Sequence, residues 1–234
     1  MLDRYDAFLF DLDGVVTPTV ALHRRAWQET FDEVFAHLGV NPYVEADYFA
    51  SLDGRPRFEG VASLLATRGV TLPEGGEHDD GIDTVRGIGN RKNRTFTEVL
   101  ARDGIAPYPG TLRLLDALSE RGARLAIVSS SRNAEIVLRA AGFEERFPVV
   151  IDGLAAAVEG LPGKPDPATF LRAAELLHTP PERAVVFEDA ESGVAAARAG
   201  AFGLVVGVDR GAGRAALTVA GAHLVVEDLA ELLV

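Results

Sequence analysis

Ala7-Phe-Leu-Phe-Asp-Leu-Asp-Gly-Val-Val-Thr17 decides the fold. Its first four residues are uninterrupted apolar, the pattern of a strand buried on both faces. Two carboxylates, Asp11 and Asp13, follow at the strand's C-terminal exit. In extended chain a spacing of two turns both side chains to one side, and Gly14 then permits a tight turn that leaves Asp13 room to move. Taken alone, an Asp-x-Asp pair is equally well a strand ending in solvated acids, because acids are common at loop starts.

Working outward, 7–10 is the first of several strands, and the next one is far away. From 108 onward helix and strand alternate: helix at 111–121, strand at 123–129, helix at 132–141, strand at 148–151, helix at 166–177, strand at 184–187, helix at 192–199, and strands at 203–208 and 223–226. This alternation predicts an α/β fold with a doubly wound parallel sheet. Between the first and second strands lie about 90 residues with only helical patterns, at 20–38, 45–52, 57–68 and 84–103, too many for an ordinary connection. The reading is a core domain of residues 1–16 plus 108–234, with an all-helical cap domain, 17–107, inserted after strand 1. Ligands in such sheets bind beyond the strand ends, where an insertion starting just after Asp13 can close over them. Trp27, on the first cap helix, reads as packing, and the acids of the loop at 72–81 as solvated surface.

Composition narrows the chemistry. The 234 residues contain no cysteine, which removes disulfides, thiolate nucleophiles and Cys-ligated zinc from consideration. No apolar run reaches the length of a membrane span, and a cytoplasmic location is expected. A net charge of −12 argues against nucleic acid or an anionic membrane as partner, so any phosphate must be held by local positive charge. Of the 23 basic residues only Lys92 and Lys164 are lysine. Against that preference for arginine, each lysine marks a place where a compact point charge is wanted.

Three more polar signals sit at strand exits or in a loop of the same sheet. Ser129 ends the second strand ahead of a helix, Lys164 stands in Gly163-Lys-Pro-Asp-Pro167, and Glu188-Asp189 follows the strand at 184–187. Each has an ordinary explanation by itself: a helix cap, a loop lysine, an acidic helix start. Together at one sheet edge they suit phosphoryl transfer. A carboxylate nucleophile approaching an anionic phosphate needs a cation, hydrogen-bond donors and a hard divalent metal such as Mg²⁺.

In order, Asp11-Leu-Asp13-Gly, Ser129, Lys164 and Glu188-Asp189 resemble the four motifs of the haloacid dehalogenase superfamily, over nearly the whole chain. The resemblance implies that Asp11 forms an aspartyl-phosphate while Asp13 serves as general acid and base. Ser129 and Lys164 would hold the phosphoryl group, and Mg²⁺ would be bound by Asp11, the backbone carbonyl of Asp13 and Asp189, with Glu188 among or just behind the ligands. Within the superfamily the chain is similar to the β-phosphoglucomutase-like subfamily, through 11–23 with Arg25-Ala-Trp27, Gly54-Arg-Pro-Arg57, Arg91-Lys92-Asn93 and Ser131-Arg132-Asn133. That resemblance implies a distal phosphate bound by Arg57, with Arg55 as a substitute, and by Ser131, Arg132 and Asn133. It also implies that Lys92 faces the substrate and that His23 links cap closure to Asp13. Pro18 departs from the acid common at its position. The implied activity converts β-glucose 1-phosphate to glucose 6-phosphate, with glucose 1,6-bisphosphate as primer and intermediate, in a monomer acting on a small phosphosugar. Two alternatives stay open: a sugar-phosphate phosphatase with the same motifs, and a catalytically inactive binding module.

Overall fold

The computed structural model describes residues 2–233. The chain divides into two compact units, one running up to Pro18 and resuming at Ile105, the other Thr19–Gly104. It enters the first unit through β1 (Ala7–Phe10) and passes into the second, built from α1 (Val20–Leu38), α2 (Glu45–Asp47), α3 (Arg57–Thr67) and α4 (Val85–Asp103). It resumes the first unit with α5 (Pro109–Glu120), β2 (Arg124–Val128), α6 (Ala134–Ala140), β3 (Val149–Ile151), α7 (Gly153–Glu159), α8 (Ala168–Leu176), β4 (Ala184–Glu188), α9 (Glu191–Ala199), β5 (Leu204–Val208), α10 (Arg214–Ala220) and β6 (Leu224–Val226).

The six strands form one sheet in the order β3-β2-β1-β4-β5-β6, every pairing parallel. This is the expected doubly wound α/β architecture. β1 lies centrally, with Phe10 opposite Ile127 on one side and Phe187 on the other. All four of its residues are buried, which is why they are all apolar. The strand order reverses between β1 and β4, so the switch point, where such sheets bind ligands, is the exit that carries Asp11 on one strand and Glu188-Asp189 on the next.

Two core helices lie outside the sequence reading. α7 buries none of its residues and α10 buries only Leu217, so neither writes a 3.6-residue apolar pattern. The only sequence trace of α7 is its caps: Asp152 accepts from the N–H groups of Leu154 and Ala155, and Gly160 closes it in the left-handed conformation. Helix α6 begins two residues later than expected, because 129–133 form a turn of their own, and the helix expected at 45–52 is a single α-turn followed by a π-turn at Tyr48–Leu52.

In the Thr19–Gly104 unit, Trp27, Phe31, Phe35, Leu64 and Ile88 form a common core, which confirms Trp27 as packing. In the loop at 72–81 Glu74, Glu77 and Asp80 are exposed, as expected of a solvated surface, and the loop is also tied down. Glu74 pairs with Arg86, Asp80 with Arg94, and Asp79 accepts from Thr84, so its acids tie the loop to the start of α4.

Asp47 and Arg68 form a largely buried ion pair in this unit, with Nη1 donating to Oδ1 at 2.9 Å and a second bond from Nη2 to Oδ2. Burial works to raise the Asp47 carboxyl, but the Arg68 bonds and the Val44 N–H outweigh it and hold it below 3.8. A depressed carboxylate stabilises the fold above its unfolded value and loses that contribution as the pH falls through the lowered native one. Asp47→Asn is therefore expected to destabilise this unit by about 1–3 kcal/mol at pH 7, with the difference shrinking as the pH falls below 3.8. Trp27 is the chain's one tryptophan, so urea titration followed by its fluorescence reads the change.

Among the described residues no helix is long and apolar enough to cross a membrane.

Candidate functional site

At the exits of β1, β2 and β4 the sheet gathers the residues singled out by sequence. The Asp11 N–H still pairs with Phe187 O at 2.9 Å, so its carboxylate leaves from a fixed backbone. Lys164 reaches it from the loop between α7 and α8 and is only 4% exposed. Its Nζ donates to Asp11 Oδ1 at 2.6 Å, to Val128 O at 3.0 Å and to Glu188 Oε1. These three bonds use all the donors of an ammonium, which a planar guanidinium could not arrange in the same space. The Phe170 ring, 4.9 Å from Nζ, lies against the same charge.

Glu188 is 1% exposed. One oxygen takes Lys164 and the other accepts from the Ala190 N–H at 3.1 Å. Its carboxylate thereby fixes the lysine and the start of α9 together. A Cβ at Gly193 would stand 1.8 Å from Glu188 Oε1, so α9 must carry glycine there. Sequence reasoning missed Gly193, although a lone glycine inside a helical pattern was the available signal.

Asp13 is half-exposed, and its Oδ2 lies 3.4 Å from Ser129 Oγ, the donor in that pair. Ser129 Oγ in turn accepts from the Ser131 N–H, and Ser131 Oγ from the Asn133 N–H. The turn at 129–133 is thus braced by its own hydroxyls, and Gly153 donates its N–H to Ser131 O from the other side. Arg132 is half-buried and Asn133 buried in this turn. Gly153, with no room for a Cβ against Ser130 O, is a second supporting residue that the sequence reading missed.

The electrostatics of the cluster are opposed. Burial pushes the Asp11 carboxyl well above 3.8; Lys164 draws it down, while Glu188 and Asp13 push it up further. For Lys164 burial alone favours the neutral amine, but Asp11 and Glu188 outweigh it and keep the ammonium protonated far above neutrality. Three ionised carboxylates and one ammonium leave excess negative charge, which one divalent cation would neutralise.

Among the described residues no group of three or more His, Cys, Asp or Glu side chains gathers at metal-binding spacing. Magnesium asks for less, being held by one or two carboxylates with phosphate and water oxygens completing its shell. Asp11 and Asp189 stand at the exits of adjacent strands, and carboxylates there, with a backbone carbonyl, are the oxygen donors that such an ion takes.

In the Thr19–Gly104 unit the structure brings His23 and Lys92 together. Lys92 is 3% exposed, and its Nζ hydrogen-bonds His23 Nδ1 while lying 4.9 Å from the Trp27 ring and 5.2 Å from Phe96. His23 stacks on Phe96 with ring centroids 4.1 Å apart. Arg57, the first residue of α3, donates to Asn93 Oδ1 at 2.7 Å, and Arg55 is exposed beside it. Lys92 and Asn93, neighbours on α4, therefore hold His23 of α1 and Arg57 of α3 respectively.

A sequence model of the haloacid dehalogenase-like hydrolases matches residues 5–200. An enzyme of Mycobacterium tuberculosis named β-phosphoglucomutase is 44% identical over 99% of this chain and 92% of its own length. A phosphorylated carbohydrates phosphatase of Thermotoga maritima is 30% identical over 87% of this chain and 85% of its own. Among solved structures, a variant of CbbY from Rhodobacter sphaeroides in complex with xylulose 1,5-bisphosphate superposes with a TM-score of 0.77. It shares 29% identity and covers 97% of this chain and 96% of its own. With the sheet-edge carboxylates, serine and lysine falling inside the matched span, the chain belongs to the haloacid dehalogenase-like hydrolase family.

Proposed function

We propose that the protein transfers phosphoryl groups through an aspartyl-phosphate at Asp11 and acts as a β-phosphoglucomutase, interconverting β-glucose 1-phosphate and glucose 6-phosphate. The observation that carries the reaction class is the Lys164 ammonium, saturated on Asp11, Glu188 and Val128 O beside the Asp13–Ser129 pair. Asp11 attacks phosphorus as the bond to the sugar oxygen breaks, and Asp13 gives that oxygen its proton. Ser129 donates to the phosphoryl oxygens, and Lys164 joins it by exchanging its bond to Asp11 for one to a phosphoryl oxygen as Asp11 attacks. Magnesium, held by Asp11, the Asp13 carbonyl and Asp189, would supply charge neutralisation. In the return step Asp13 takes the proton from the attacking sugar hydroxyl. Glu188 keeps Lys164 aimed throughout.

A mutase must hold a second phosphate while the first reacts. Arg57, steadied by Asn93, is proposed to bind phosphate from the Thr19–Gly104 unit, Ser131, Arg132 and Asn133 are proposed to bind it from the other unit, and Lys92 and His23 are proposed to contact the sugar phosphate. The 44% identity to an enzyme named β-phosphoglucomutase supports this choice. The second reading, a phosphosugar phosphatase with water as acceptor, is favoured by the likeness to the Thermotoga phosphatase.

Arg57→Ala separates the two readings. Losing a charged hydrogen bond to phosphate is expected to lower turnover of glucose 1,6-bisphosphate by about 10- to 100-fold, with a far smaller effect on an aryl phosphate carrying a single phosphate. Steady-state kinetics on both substrates checks it. Equal activity of variant and parent toward the bisphosphate would remove the two-phosphate mechanism.

A further inference from the structure

Arg210 lies in the loop after β5, outside the four strand-exit signals. Asp209 shapes that loop by accepting the N–H groups of Gly211 at 3.0 Å and Gly213 at 3.1 Å, bonds that hold its carboxyl below 3.8. The neighbouring Arg210 side chain reaches three separate parts of the chain. Its Nε donates to Gly14 O at 2.9 Å and its Nη1 to Glu227 O at 2.6 Å, while its guanidinium carbon stands 4.0 Å from the centre of the Tyr108 ring. Nη2 is buried with no hydrogen-bond partner among the described residues, so the bonds to Gly14 O and Glu227 O and the stacking on Tyr108 are the contacts that orient the group.

Gly14 follows Asp13 directly and has φ +91°, a conformation open chiefly to glycine. Its N–H donates to Thr17 O at 2.8 Å, and the N–H groups of Val16 and Thr17 return to Leu12 O. The loop at 12–17 is thus closed on itself, and Arg210 takes hold of it at its glycine. Tyr108 completes the clamp: its N–H donates to Val16 O at 3.1 Å, and Thr111 Oγ1 donates to Val15 O at 2.7 Å. The Tyr108 phenol is pushed up by burial first and then by Asp189, with Arg210 opposing, so the ring lies within electrostatic reach of the acid that ends the β4 exit.

We infer that Arg210 is a positioning residue for Asp13, fixing the Gly14 turn from which the acid–base carboxylate projects. The inference rests on the acid–base role proposed for Asp13. A glycine turn has many accessible conformations, and a guanidinium that bonds two carbonyls while covering an aromatic ring selects one of them. Lysine can offer a bond to Gly14 O but cannot span both carbonyls and the ring with one planar group.

Asp13 matters most where the leaving oxygen needs a proton, so the test varies the leaving group. Arg210→Met and Arg210→Lys are compared with the parent, all with Mg²⁺, on glucose 6-phosphate primed with a trace of glucose 1,6-bisphosphate, where a sugar alkoxide must be protonated, and on p-nitrophenyl phosphate, whose phenolate leaves without help. Misplacement of the acid is expected to lower kcat on the sugar phosphate by about 100-fold in Arg210→Met and by at least tenfold more than on the aryl phosphate, with Arg210→Lys between. Backbone amide exchange without metal supplies a readout independent of turnover. Amides of 14–17 are expected to exchange at least about tenfold faster in Arg210→Met, with those of β2 unchanged as the control for folding. Equal losses on the two substrates, or unchanged exchange at 14–17, would overturn the inference. A parent that turns over neither substrate would overturn the proposed function instead, and the exchange result would then decide the role of Arg210 by itself.

Discussion

Asp11→Asn is expected to abolish phosphoryl transfer and, in the metal-free protein, to raise stability at neutral pH. The loss of activity follows from chemistry: an amide oxygen in the same place is no nucleophile toward phosphorus, and a fall of about 10⁴-fold or more is expected. The gain in stability follows from the cluster's charge. Asp11 is buried beside Glu188 and Asp13, and its carboxyl is held well above 3.8, burial being the largest cause. A raised acid costs stability as the pH rises from the unfolded value through the native one, because the folded state must give up a proton it holds more tightly. Asparagine removes that cost and keeps an oxygen for the Lys164 bond. The gain should be about 0.5–2 kcal/mol near pH 7, shrink as the pH falls toward the unfolded value of 3.8, and vanish only below it, where Asp11 is protonated in both states. Thermal unfolding of parent and variant across this range, in chelator, reads it directly; a variant less stable than the parent at pH 7 would contradict the charge balance described for the site.

Lys164→Met is expected to act in the opposite direction on stability. It leaves Asp11, Glu188 and Asp13 without their ammonium, and breaking a buried pair by removing one partner costs about 3–5 kcal/mol. A lysine held above its unfolded value contributes its stabilisation everywhere below that value, so the parent has the full contribution at pH 7. The deficit of the variant should shrink as the pH falls and Asp11, whose carboxyl is already raised, takes up a proton. Turnover should fall by about 10²- to 10³-fold, the cost of losing one donor aimed at developing charge. Denaturant titration at pH 7 and pH 4.5 together with steady-state kinetics checks both parts. Arg57→Ala, by contrast, touches neither the cluster nor its charge, and its effect should appear in the bisphosphate reaction with unfolding little changed.

Much of this site was legible because the residues concerned obey local rules. An apolar run ending in Asp11-Leu-Asp13 is readable as a buried strand with its acids at the exit, and parallel pairing then carries Ser129 and Glu188 to the same edge. The scarcity of lysine pointed to Lys164 and Lys92, and both are buried charges with specific partners. Other features were hidden for physical reasons. Helices α7 and α10 bury at most one side chain, so the periodicity that reports burial was missing. The exposed acids of the loop at 72–81 also pair with Arg86 and Arg94, which was hidden because these partners act across a fold in the chain. Gly193, Gly153 and Arg210 matter through long-range packing and bonding that no spacing in the sequence records. For Glu188 the motif supplied the residue, whereas its bonds to Lys164 and the Ala190 N–H emerge only once β4, α9 and the Lys164 loop are assembled.

The central claim is that the phosphoryl group on Asp11 returns to a sugar and not to water. Incubating the protein with Mg²⁺, β-glucose 1-phosphate and a trace of β-glucose 1,6-bisphosphate, while following products by phosphorus NMR, tests it most directly. The account predicts glucose 6-phosphate as the main product with little inorganic phosphate. Inorganic phosphate as the main product would contradict it and make the protein a phosphosugar phosphatase.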